Sequence, residues 1–140
     1  MTGPLAVPRI LWAALFISTL LYLVVLALTE MPGEPGWQVL LLPLGFAGLT
    51  TAGASLVLPQ LLLRKRSAPR AKAQPPGDAD SAYQVALIAA MALAEAVAIY
   101  GLILGFRGAP TMVVLPFFVV TWLLMLIRFP TQEKLDEFSK

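Results

Sequence analysis

The chain has 140 residues, of which 59% are hydrophobic and only 13% charged, and its formal net charge is +2. A soluble domain carries about 25% charged residues, so a water-facing globular fold is excluded. The absence of Cys and His excludes disulfides, thiol chemistry and imidazole-based metal or acid–base sites.

Four apolar stretches account for most of the chain. The first, 10–28, follows Arg9 and could be mistaken for a signal peptide. It is longer than a usual signal core, and Leu28-Thr29-Glu30-Met31-Pro32 offers no small-residue cleavage site, so a retained helix is expected. The segment 30–36, with Pro32, Gly33, Pro35 and Gly36, breaks any helix. The second stretch covers 37–63. The segment 64–81, rich in Pro, Ala and charge, reads as a cytoplasmic linker. Ser81 and Gln84 suggest a capping box opening the third stretch, 82–106. Arg107, Gly108 and Pro110 form a tight turn before the fourth, 109–127. A helix needs about 20 apolar residues to cross the hydrocarbon core, so all four stretches are expected to span it. The tail, 128–140, begins with a break at Pro130 and is expected to form a short surface helix, with Leu135 and Phe138 facing lipid or a partner.

Charge placement sets the expected orientation. With four crossings, every Lys and Arg except Arg107 falls on one side. Positive charge is retained in the cytoplasm, so both termini and the linker are expected there, in a bacterial inner membrane. The whole is an all-α, four-helix transmembrane bundle, one integral domain, with spans 2 and 3 as a central hairpin. The basic linker reads as ordinary topology charge, and no nucleic-acid partner is expected.

Glu95 is the one ionisable side chain in the middle of an apolar stretch. A lone carboxyl at that depth is expensive and marks a functional site by default. Desolvation with no cation nearby favours the neutral acid, so Glu95 is expected to keep its proton at neutral pH and is the candidate proton-binding residue. Thr50, Thr51 and Ser55 of span 2 fall near its depth and are the expected hydrogen-bond partners. Tyr100, Ser18, Thr19 and Tyr22 match less well. Small residues repeat at steps of three and four in span 3, at Ala94, Ala98, Gly101 and Gly105, and in span 2 at Gly45, Gly48 and Ala52. Such faces let membrane helices approach closely, so the two spans should pack tightly and antiparallel. One carboxyl without a partner base, nucleophile or metal ligand makes a poor catalytic set. No catalytic residue, metal or cofactor is expected.

The stretch Ala94-Glu95-Ala96-Val97-Ala98-Ile99-Tyr100-Gly101-Leu102 resembles the second helix of the c subunit (proteolipid) of rotary ATP synthases. Gln74-Pro75 stands where that family has Arg-Gln-Pro. The resemblance implies that Glu95 binds the transported ion, with Tyr100 nearby. The chain departs from the family at Ala73, which replaces the loop arginine, in the sparse glycines of span 2, and in its extra spans 1 and 4. The whole chain, including Arg128-Phe129-Pro130-Thr131-Gln132-Glu133-Lys134-Leu135, also resembles small four-span bacterial membrane proteins, which implies a fold and no activity. The function expected is that of a non-enzymatic inner-membrane protein, a small subunit or assembly partner in contact with lipid, other subunits or its own copies. The alternative is a proton-binding rotor or proton-conducting element.

Overall fold

The computed structural model describes residues 6–29, 36–66 and 78–131. Among them the chain forms four helices and no strand: α1 (Ala6–Leu28), α2 (Trp37–Arg66), α3 (Asp78–Phe106) and α4 (Thr111–Ile127). The all-α bundle expected from the sequence is present. Three helical stretches, Ala6–Leu28, Trp37–Leu58 and Gln84–Phe106, are long and apolar enough to cross a membrane. The fourth is shorter than expected. α4 has 17 residues, about 25 Å at 1.5 Å per residue, and starts only after Pro110. The surface helix expected in the tail, the first turn from 30 to 35 and most of the linker lie outside the described residues.

Local chemistry sets the helix ends. Pro8 lies in the first turn of α1, where an N–H has no acceptor within the helix. α3 starts at Asp78, a turn earlier than the expected Ser81 cap, so Ser81 is inside the helix. At its C-terminus, Ala109 N–H bonds Leu104 C=O at 3.0 Å and Gly108 N–H bonds Gly105 C=O at 2.9 Å. This paired closure needs a left-handed residue, and Gly108 supplies it at φ 76°. α4 ends at Ile127 with Arg128 as its C-cap, and Pro130, two residues on, cannot continue a helix.

α3 is the spine. Of its apolar stretch 44% is buried, against 6% for α1 and 11% for the α2 stretch, and α3 packs on each of the other helices. Register fixes the directions. Ser55 bonds Ala90 while Gly48 approaches Tyr100, so α2 and α3 are antiparallel. Thr121 bonds Ala94 while Gly101 approaches Phe117, so α3 and α4 are antiparallel. Leu11 packs near Leu87 and Leu26 near Gly105, so α1 runs parallel to α3. The outward side of α2 is apolar, with Leu42, Phe46 and Leu49 exposed by 82%, 71% and 74%. Water would not tolerate that face, whereas lipid does.

The small residues are divided among three neighbours rather than reserved for one hairpin. Ala94 and Ala98 are buried, and Ala52 packs on the cluster of Ala94, Leu124 and Met125. A Cβ on Gly101 would stand 2.8 Å from Phe117 Cβ of α4, and one on Gly105 2.5 Å from Leu26 Cδ2 of α1. A Cβ on Gly48 would stand 3.1 Å from a Phe117 ring carbon, whereas Gly45 has nothing within 4 Å. Gly45, Gly48 and Ala52 instead border an open apolar groove of about 190 Å³, with Val97, Pro116 and Phe117 opposite. The reason is geometric: α3 has close neighbours on three sides, and each needs a small residue where it approaches.

One clamp was not legible from composition. Arg128, just past α4, donates through Nη2 to the carbonyls of Ser55 (2.8 Å) and Leu56 (3.0 Å) in α2. Pro59 lies four residues beyond Ser55 and has no N–H, so the Ser55 carbonyl lacks its helical donor. The guanidinium replaces it across the helix interface.

Two expectations follow. Gly101→Ala should destabilise the fold by about 1–3 kcal/mol through overpacking against a carbon that cannot swing aside. Gly53→Ala, with open space around it, should change stability by less than about 0.5 kcal/mol; reversible unfolding in mixed micelles compares the two. By the same assay, Arg128→Gln should cost about 1–2 kcal/mol in the parent chain. It should cost clearly less in a Pro59→Ala background, where a backbone N–H returns to the Ser55 carbonyl.

Candidate functional site at the α1–α3 seam

Glu95 is the central residue of the apolar stretch Gln84–Phe106, and it is half-buried on the side of α3 that meets α1. Ser18 Oγ donates to its Oε1 at 3.0 Å, and Tyr22 Oη donates to the same oxygen at 2.9 Å. Ser18 and Tyr22 are four residues apart, so they share one face of α1. Two donors on one oxygen fix the carboxyl plane and leave Oε2 with no hydrogen bond among the described residues.

Apolar layers enclose the cluster along the seam. Toward the N-terminal ends, Leu11, Trp12 and Leu15 pack on Leu87 and Met91. Toward the C-terminal ends, Tyr22, Leu23 and Leu26 pack on a core containing Ala98, Leu104 and Phe118. The carboxyl is therefore held between layers that offer it no other polar group, which strengthens each hydrogen bond it makes.

Further polar contacts tie α1 to α4. Trp12 Nε1 donates to the Met125 carbonyl at 2.8 Å, with its ring stacked on Phe16 at 5.2 Å and edge-on to Phe129 at 5.0 Å. Trp122 Nε1 donates to Thr19 Oγ1 at 3.1 Å, and the Thr19 hydroxyl in turn donates to the Phe16 carbonyl at 2.8 Å. At roughly 0.6 to 1 kcal/mol for each hydrogen bond between membrane helices, these four interhelical bonds hold a helix that buries little else.

The hydroxyls expected at Glu95 are elsewhere. Thr50 is exposed and donates within its own helix, to the carbonyls of Phe46 and Ala47. Ser55 is buried and donates to the Ala90 carbonyl at 2.9 Å. Thr51, half-buried one residue on from Thr50, makes no hydrogen bond to Glu95. Tyr100 lies beside Gly48 and does not bond Glu95. The depth comparison between spans 2 and 3 placed these groups at the right height on the wrong side of α3. A hydroxyl on a membrane helix also has a carbonyl of its own helix within reach, and Thr50 uses it. Ser18 and Tyr22 carried a usable signal: two hydroxyls at helical spacing on one face of a mostly apolar helix.

Ser18→Ala and Tyr22→Phe should each destabilise the fold by about 1 kcal/mol. In a double-mutant cycle, each should lose most of its effect once Glu95 is already Leu. Stability in mixed micelles provides the readout, and full additivity would show that the hydroxyls act independently of the carboxyl. No family model matches the chain, nor does any curated protein or solved structure, so the geometry of this seam carries the functional reading.

Proposed function

We propose that the protein is a non-enzymatic, multi-pass protein of a bacterial inner membrane, with both termini cytoplasmic, that serves as a small subunit or assembly partner of a larger membrane complex. The observation that carries this reading is the pair of α1 hydroxyls on Glu95 Oε1. They immobilise the carboxyl and tether a helix. A fixed carboxyl at mid-helix is suited to holding helices together, whereas a catalytic acid needs a reacting group and a second base within reach.

The alternative is a proton-binding element resembling a c subunit. It has one observation in its favour: Oε2, the oxygen with no protein donor, could take up and release a proton toward a partner. Against it, α1 occupies the side of Glu95 to which a two-helix proteolipid would leave access.

The two readings diverge on Glu95→Gln. The amide can still accept from Ser18 and Tyr22, so an assembly subunit should keep its fold and its co-purifying partner. Proton flux into vesicles should be unchanged. A proton carrier should keep its assembly and lose flux altogether. Affinity purification from the native membrane in mild detergent, with flux measured on the same preparation, separates them.

A further inference from the structure

Glycines in α2 and a proline in α4 leave a cleft on the side of the bundle away from α1. Gly45, Gly48 and Ala52 form one wall, exposed Pro116 and Val120 the other, and buried Val97 of α3 the floor, around a space of about 190 Å³. No residue lining it carries a polar side chain. Phe117 keeps the walls apart. A Cβ on Gly101 would stand 2.8 Å from its Cβ, and one on Gly48 3.1 Å from its ring. The ring is thus lodged between two glycines, and α2 cannot close on α4. The cleft is a fixed product of the packing, formed before anything enters it.

Register places the cleft in one leaflet. Ser55 meets Ala90 and Gly48 meets Tyr100, so Gly45 stands near the level of Ile103. Ala52 packs beside Ala94. Between those levels lie about 14 Å of helix, within half of a hydrocarbon core about 30 Å thick, on the side of the α3–α4 turn. Exposed Arg107 follows Ile103 by one turn, at the end of α3 from which the cleft descends.

Size and chemistry select the occupant. A helix of that length fills about 1,000 Å³ or more, and a stable protein interface takes about 20–30 residues a side. The cleft is too small for a helix of a partner or of a second copy. An apolar space also gives water no hydrogen-bond partners. A linear hydrocarbon chain fits, runs along the helix axes as lipid chains do, and gains dispersion contacts from walls on three sides. With its end at mid-depth, such a chain brings its headgroup to the level of Arg107, where a guanidinium suits a phosphate. We propose that the α2–α4 cleft binds one acyl chain of a phospholipid from the leaflet on the Arg107 side, with the lipid phosphate paired to Arg107. Phe117 is the positioning residue that holds the cleft open.

The test uses the full chain in phosphatidylcholine vesicles that hold a small share of phosphatidylglycerol with a photoactivatable group near the end of one acyl chain. Adducts should concentrate at Ala52, Val97 and Val120, above the yield at Ile99, which is exposed on the opposite side of α3. Gly45→Leu places a side chain where the glycine has open space, and it should lower the cleft adducts about fivefold or more without changing those at Ile99. Val120→Phe fills the cleft from the other wall and should do the same, so the result does not hang on one variant folding. Gly53→Leu, also in open space, should change neither. Arg107→Gln should lower the cleft adducts about fivefold. A cleft yield no higher than that at Ile99, or one that neither filling variant lowers, overturns the chain site. A second copy of this chain joined at the cleft overturns it as well. A yield unchanged by Arg107→Gln overturns the headgroup contact.

Discussion

The hydrogen bonds that reach α3 from other helices hold the bundle together, because lipid removes the force that would otherwise assemble it. Hydrocarbon tails are as apolar as leucine, so helices in a membrane gain little by hiding Leu and Val from their surroundings. What remains is close packing and the matching of polar groups. Both are concentrated on α3. Its Ala90 and Ala94 carbonyls accept hydroxyls from Ser55 of α2 and Thr121 of α4, and its Glu95 accepts two from α1. Three helices thus contribute a hydroxyl to one spine.

Two of these contacts use backbone carbonyls that already serve the helix. The second lone pair of a helical carbonyl is a usable acceptor at close approach, and α3 permits that approach because Ala90, Ala94 and Ala98 are small and buried. The Arg128 contact with Ser55 and Leu56 follows another logic. A proline in α2 leaves a carbonyl without its donor, and a cation at the end of α4 supplies one. In water such a carbonyl would be solvated at little cost. In a low-dielectric setting it must be answered by the protein, which makes a proline and a distant arginine parts of one device.

α1 differs from the other helices in how it is held. It buries little of its surface and runs parallel to the spine, with the mid-seam carboxyl and two tryptophan N–H groups as its polar anchors. A helix attached in this way depends on a few directional bonds more than on area. The same economy explains why Glu95 is half-buried rather than sealed: it lies on the margin between the α1 seam and the open side of α3. The tethering role follows from that position on the α1 seam.

The helix number, their approximate limits and the placing of one carboxyl at mid-helix were all legible in the sequence, because runs of apolar residues and their breakers act locally. Gly108 closes α3 and Pro130 follows the end of α4, and Glu95 stands out against any apolar background. Which hydroxyls meet that carboxyl was not legible. Depth along a helix is a one-dimensional quantity, and it ranks Thr50 and Ser55 above Ser18 and Tyr22, the pair that bonds the carboxyl. The choice among them depends on rotation about the helix axes, which is decided by how Gly101 seats Phe117 and Gly105 seats Leu26. The pattern of apolar and polar residues therefore determined that the chain forms apolar helices with a single acid at mid-helix. Only the packing of four helices decided that the acid faces α1, because that choice is made by contacts between residues far apart in the chain.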